Sequence, residues 1–169
     1  MLLQTSRTGF LLTGALALAV VASGGPQRAT WPGKPYKEVR AYLYNLASDW
    51  PNSIIEDGRL SPSVENPDGV RLTDRQVERL LDAVARPHPD HPIAACFSPR
   101  HGFVFYNASK KPVAWVYVCF ECSNYRGSPE LKNNFDLDTL EKLTRELGLP
   151  VLSGRPAYEA WKKKQAKQQ

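Results

Sequence analysis

All three cysteines and all three histidines of the chain lie between His88 and Cys122, so this segment concentrates the residues that could do chemistry. Cys119 and Cys122 stand three apart in "VCFEC", at the end of an apolar run, and Cys96 and His101 precede that run. One imidazole and three thiolates can enclose Zn²⁺ tetrahedrally. Sulfur ligands would equally suit Cu(I) or an iron centre. The first hypothesis is therefore a metal site formed by these four side chains.

A second hypothesis is a structural disulfide from Cys96 to either Cys119 or Cys122, which leaves one thiol free and His101 as an ordinary histidine at a strand end. An oxidising compartment favours this pairing. A third hypothesis is a thiol switch, in which Arg100 and His101 lower the pKa of Cys119. A thioredoxin-like site is not expected, because such a site begins a helix and the residues after Cys122, "SNYRGSP", are not helical.

A fourth hypothesis is a nucleophile pair, with Cys119 or Cys96 attacking a substrate, His101 as the base and Glu121 orienting the imidazole. No segment resembling an oxyanion loop accompanies these residues. Covalent haem attachment is excluded, because a serine rather than a histidine follows Cys122. The sequence assigns no reaction and leaves open whether the protein is an enzyme.

The pair His88 and His91 in "HPDH" is a further combination of metal-ligand type, with an aspartate between the two histidines. Its proline-rich surroundings favour a solvated turn over a metal site.

A β-hairpin is predicted to position the four residues of the cluster. The stretch "GFVFYNASKKPVAWVYVCF" has two β-branched and aromatic arms around a polar middle, which is typical of a hairpin. If residues 107–112 connect the arms, His101 faces Val118 and Phe97 faces Cys122. All four cluster residues then converge at the open end of the hairpin. A slip of one residue would exchange the faces of a strand, so the pattern predicts this convergence but not the direction of each side chain.

The same segment, "CFSPRHGFVFYNASKKPVAWVYVCFEC", resembles one shared by a loosely defined group of uncharacterised bacterial exported proteins. That group combines a cysteine, a Pro-Arg-His-Gly-like run, a strand ending in Phe-Tyr, and a closing Cys-Phe-x-Cys strand. The resemblance covers about residues 94–124. It implies that Cys96, His101, Cys119 and Cys122 act as one unit, and it implies no activity or cofactor.

Three helices are expected around the hairpin. Residues 36–46 place Tyr36, Val39, Leu43 and Leu46 at helical spacing. Thr73 and Gln76 form a capping box before a second helix that Pro87 ends. A third helix is predicted from about Asp138, with Glu141 completing a similar box, and Gly148 and Pro150 stop it.

Other segments are predicted to be turns or loops. Asp57 and Gly58 form a two-residue turn between short strands, and residues 123–135 are predicted to be an irregular loop. The predicted fold class is α+β, a small antiparallel sheet with about three packed helices.

The amino terminus is typical of a secretory signal. Residues 1–24 combine Arg7, an apolar run of Phe10 to Ala22, and small residues before Pro26. The predicted organisation is a signal peptide at 1–24, a flexible lead-in at 25–35, a single domain at 36–154 and a basic tail at 155–169. The mature protein is expected in the periplasm or outside the cell. It is not expected to be a lipoprotein, because its first cysteine is Cys96.

The net charge of +5 comes mainly from the carboxyl-terminal tail. Residues 155–169 contain five basic residues and one acidic residue, whereas residues 25–154 carry no net charge. A weak contact of this tail with an anionic surface is the partner that the charge pattern suggests. An exported protein rarely meets nucleic acid, so no nucleic-acid partner is expected.

Overall fold

The computed structural model describes residues 31–48 and 52–167. Its strands are β1 Glu38–Leu43, β2 Ile55–Glu56, β3 Arg59–Leu60, β4 Val70–Arg71, β5 His101–Tyr106, β6 Pro112–Cys119 and β7 Asn124–Ser128. A five-stranded antiparallel sheet, in the order β4-β1-β5-β6-β7, forms the centre, and a separate two-stranded hairpin pairs β2 with β3. The helices are α1 Asp74–Ala85, α2 Leu137–Glu146 and α3 Gly154–Ala166. The predicted α+β class is confirmed.

The sheet buries both of its faces. The helix face packs β1, β5 and β6 against the three helices, with Phe103, Phe105 and Val116 at its centre. The opposite face, called the hairpin face because the β2–β3 hairpin covers it, packs Tyr42, Tyr44 and Val104 against the hydrophobic side chains of β2, β3 and the residues beside them. Side chains alternate between the two faces along each strand, so odd-numbered and even-numbered residues of one strand join different layers.

The central hairpin of β5 and β6 has the predicted register. His101 faces Val118 and Phe103 faces Val116, and the regular pairing shifts only between Phe105 and Tyr106. The turn at Asp57 and Gly58 is also confirmed, because it joins β2 to β3 with positive φ angles of 49° and 74° at these two residues.

Helix α1 begins as the sequence predicts. The backbone N–H of Gln76 donates to the Thr73 hydroxyl, and the Gln76 side-chain carbonyl accepts from the Thr73 N–H at 2.9 Å. The capping residue of helix α2 is Asp136, two residues before the predicted Asp138. The Asp136 carboxylate accepts the N–H of Thr139 at 2.9 Å.

Two predictions of local structure are wrong. Residues 38–43 form strand β1 instead of a helix, and residues 124–128 form the edge strand β7 within the predicted loop. In β1, burial alternates from Glu38 to Ala41, and Ala41, Tyr42 and Leu43 are then all buried. The end of the strand is covered on both faces and shows no two-residue alternation, so the chance spacing of its apolar residues resembles a helical stripe.

Helix α3 is not one of the three predicted helices and lies in the segment interpreted as a basic tail, while the predicted third helix corresponds to α2. Helix α3 covers 154–166, and Tyr158 from this helix is buried in the core. At the other end, Trp31 in the predicted lead-in packs against the core. The predicted signal peptide at 1–24 lies outside the described residues. None of the helices in the described part of the chain is long and apolar enough to cross a membrane.

Candidate functional site

A disulfide between Cys96 and Cys122 lies at the open end of the β5–β6 hairpin, with the two Cα atoms 5.7 Å apart. Cys96 is exposed in the segment that leads into β5, whereas Cys122 is buried in the turn between β6 and β7. The bond therefore ties the long connection after α1 to the β6–β7 turn. Of the two pairings predicted for Cys96, the structure contains the one with Cys122.

Hydrogen bonds on either side of the disulfide also attach the connection after α1 to the β6–β7 turn. The Ala94 N–H donates to the Cys122 carbonyl oxygen at 3.0 Å. The side-chain amide of Asn124 donates to the Cys96 carbonyl oxygen at 3.4 Å. His91 Nε2 lies 3.2 Å from the Ser123 carbonyl oxygen. Covalent and polar contacts thus act together to hold a segment that has no regular secondary structure.

The third cysteine, Cys119, is a free thiol at the end of β6 and is 2% exposed. Burial raises its pKa, and the backbone N–H groups of Ser98 and Cys122, which donate to its sulfur, offset part of this effect. A raised pKa keeps the sulfur in its poorly nucleophilic thiol form at neutral pH. Cys119 is therefore a buried side chain of the core and is not activated.

His101, the first residue of β5, is 1% exposed. Its Nε2–H donates to the Pro150 carbonyl oxygen at 2.8 Å, since a carbonyl oxygen can only accept. Nδ1 is buried and has no hydrogen-bond partner among the described residues. Burial lowers the pKa of His101 to about 4, and the nearby guanidinium groups of Arg145 and Arg100 act in the same direction. The imidazole is thus neutral at physiological pH.

Strand alternation places His101 and Cys119 on opposite faces of the sheet. His101 pairs with Val118, so these two side chains share the helix face. Cys119, the next residue along β6, points to the hairpin face with Tyr117. The sequence predicts that the two residues converge at one end of the hairpin, and they do. They cannot form a nucleophile–base pair through the sheet.

Glu121, the predicted orienting carboxylate, contacts a different element. It accepts the N–H of Gly154 at 3.0 Å and the hydroxyl of Ser153 at 3.4 Å. A carboxylate at a helix amino terminus interacts favourably with the helix dipole. Glu121 therefore joins the β6–β7 turn to the start of α3 and does not orient His101.

The predicted metal ligands are close in sequence and in space, but two of them are joined to each other. Among residues 31–48 and 52–167, no group of three or more His, Cys, Asp or Glu side chains is placed to hold a metal ion. Zinc binding by Cys96, His101, Cys119 and Cys122 would require reduction of the disulfide, because thiolates are the ligands. It would also require His101 and Cys119 to turn towards one point.

The histidines of "HPDH" contact separate elements. His88 Nε2 lies 2.8 Å from the Asp82 carbonyl oxygen of α1, while His91 contacts the β6–β7 turn and lies beside Tyr125. Each half-buried ring thus anchors the connection after α1, whereas the sequence favours a solvated turn for this motif.

Sequence reasoning missed the residues that cover His101. Phe120 and Tyr158 place their rings 5.2 and 6.3 Å from the imidazole, and the Pro150 carbonyl oxygen binds its Nε2. Tyr158 lies in the segment interpreted as a tail, and a lone aromatic residue among polar residues gives little signal. Trp31, in the predicted lead-in, was missed for the same reason.

No family model, curated protein or solved structure matches the chain.

Proposed function

We propose that the chain is an exported, disulfide-braced binding module that carries out no reaction at its Cys/His end. The observation that carries this proposal is the Cys96–Cys122 disulfide, which fixes the connection after α1 to the β6–β7 turn. Disulfides are typical of proteins that work in oxidising compartments. The signal-like residues 1–24 support the same location.

The remaining chemistry-bearing side chains have structural roles in this proposal. His101 is sealed beneath Phe120 and Tyr158, and it has one carbonyl partner. Cys119 is buried with a raised pKa, on the opposite face of the sheet from the only buried histidine in the described residues. A catalytic pair needs contact between nucleophile and base, which this arrangement does not provide.

The basic end of the chain adds a second contact surface in this proposal. Helix α3 exposes Lys163 and Lys164, while Lys162 pairs with Glu65 at 2.7 Å. Exposed lysines attract an anionic surface weakly, and salt screens that attraction.

Thiol counting on the natural exported protein tests the proposal. We expect labelling under denaturing, non-reducing conditions to add one alkyl group, at Cys119, and labelling of the folded protein to add none. Peptide mapping should recover Cys96 linked to Cys122. The amino-terminal sequence should begin between Ala22 and Pro26.

The same sample tests the metal hypothesis. Three labelled thiols together with one zinc ion per chain would overturn the disulfide brace and favour a site at Cys96, His101, Cys119 and Cys122. Three labelled thiols without metal would also reject the brace. An intact Met1 on a cytosolic protein would overturn the exported location.

A further inference from the structure

A groove with a volume of about 690 Å³ lies between α1 and the segment of residues 31–39. Ligand sites commonly enclose about 300–1,000 Å³. The groove follows α1 from Asp74 to Arg86, and a 12-residue helix is about 18 Å long. Its shape is therefore elongated and open along one side, on the helix face of the sheet and away from the disulfide.

Two aromatic side chains of the groove are held in place before any ligand binds. The rings of Trp31 and Tyr36 each meet the buried Phe105 edge-on, with centroid distances of 5.1 Å. The Trp31 indole N–H also donates to the Pro129 carbonyl oxygen at 3.0 Å. Half-buried Val77 and Leu81 of α1 complete the apolar part of the lining. A fixed apolar lining lowers the entropic cost of binding.

Charges of opposite sign stand on the two walls. Asp74 and Glu78 lie one helical turn apart on α1, whereas Lys34 and Lys37 lie on the facing segment. All four side chains are exposed. Within the described part of the chain none of them forms an ion pair, so the two walls do not neutralise each other. Further along α1, by contrast, Asp82 is paired with Arg86 at 2.9 Å.

From this arrangement we infer that the groove binds an extended peptide segment that carries cationic and anionic side chains around apolar ones. Cationic side chains of the peptide face Asp74 and Glu78, and anionic side chains face Lys34 and Lys37. Apolar side chains contact Trp31 and the α1 stripe. The length of the groove favours a chain over a compact small molecule, and the opposed walls favour a peptide with both charges over one with a single sign. This inference rests on the proposed function, since it names the partner of the binding module.

A pair of synthetic hexapeptides tests the inference on the disulfide-intact mature protein. The charged probe is acetyl-Lys-Glu-Leu-Leu-Lys-Glu-amide, and its neutral analogue has glutamine at the four charged positions. We expect the charged probe to bind with a Kd of about 0.01–1 mM, as suits a short flexible ligand. The analogue should bind at least about tenfold more weakly, and added salt should narrow this difference.

Two double variants with the same change in charge locate the site. Asp74→Asn/Glu78→Gln, in the groove wall, should weaken binding of the charged probe, because only Lys34 and Lys37 are left to attract it. Glu56→Gln/Asp57→Asn, in the β2–β3 hairpin on the opposite side of the sheet, should leave it unchanged. Thermal unfolding confirms that both variants fold. NMR shifts of the Trp31 indole and the α1 amides should follow the titration of the charged probe.

Three results would overturn the peptide inference: no binding of the charged probe, equal binding of both probes, or an unchanged affinity in the groove variant. If the thiol count still shows the Cys96–Cys122 disulfide, each of these results rejects the groove and leaves the braced module intact. If the disulfide is absent, the proposed function fails, whatever the peptides do.

Discussion

The imidazole Nε2 of His101 donates to the carbonyl oxygen of Pro150 across 2.8 Å, which joins the first residue of β5 to the link between α2 and α3. This contact uses one nitrogen of the ring and leaves Nδ1 buried without a described partner. A second proton on the ring would therefore create a buried charge and a buried donor without an acceptor.

The first prediction concerns stability in acid. His101 has a pKa of about 4 in the folded protein and an ordinary value of 6.5, so between these values the unfolded chain binds more protons. Stability from the neutral ring is complete above about pH 7, falls as the pH drops from about 6.5 to about 4, and then levels off. The loss is on the order of 3 kcal/mol. Urea unfolding from pH 4 to pH 7 measures it.

His101→Gln should flatten this pH dependence, because glutamine does not titrate in this range. His88→Gln is the matched control, since it removes a histidine outside the buried core and should leave the slope unchanged. Equal slopes in wild type and His101→Gln would show that other groups, such as carboxylates, cause the acid sensitivity.

The second prediction concerns the disulfide. The double variant Cys96→Ala/Cys122→Ala should lose about 2–4 kcal/mol of unfolding free energy, because a loop of 26 residues opens in the unfolded chain. The double change also prevents an artificial Cys119–Cys122 bond. Cys119→Ala should cost about 1 kcal/mol, the effect of removing one buried atom.

Denaturant unfolding without a reducing agent measures both costs. Treatment of the wild type with a reductant should reproduce the loss of the double variant and should not affect that variant further. A larger loss for Cys119→Ala than for the double variant would mean that Cys119 has a role beyond packing.

The register of the central hairpin could be predicted from sequence, because its arms are rich in β-branched and aromatic residues and its turn is polar. The face of each side chain could not, and it decides the site. His101 and Cys119 approach the same end of the hairpin, yet a single step of alternation separates their faces. The choice between Cys119 and Cys122 as the disulfide partner has the same origin, since two cysteines three apart offer similar reach.

Burial explains the missed elements as well. The alternation of strand β1 stops after four residues, because Ala41, Tyr42 and Leu43 are all buried, and so short a pattern does not distinguish a strand from a helix. Strand β7 reads "NYRGS" and is half-buried at the edge of the sheet, where polar residues and glycine are tolerated. Its backbone pairing with β6 stabilises it as a strand, although its own sequence has little strand propensity.

The third prediction concerns the cap of α1. Thr73→Ala removes the hydroxyl that accepts the Gln76 N–H, so it should cost about 0.5–2 kcal/mol and leave the disulfide intact. Ser153→Ala is a suitable control, because Ser153 precedes α3 without a side-chain capping hydrogen bond and its hydroxyl makes an exposed hydrogen bond of 3.4 Å to Glu121. Its cost should stay within about 0.5 kcal/mol. Comparison of their thermal unfolding midpoints decides whether the capping box stabilises the fold.

The last prediction explains the glycine that follows His101. A Cβ atom at Gly102 would lie 2.2 Å from Cδ1 of Ile54 and 3.2 Å from its Cβ, because this position faces the segment that leads into β2. Gly102→Ala should therefore destabilise the fold by about 1–3 kcal/mol through overpacking. Ile54→Val removes the clashing methyl group and by itself should cost about 0.5–1.5 kcal/mol. The double variant should be more stable than the sum of the two losses predicts, since the residues share one contact. Strict additivity in a denaturant-unfolding cycle would contradict the clash.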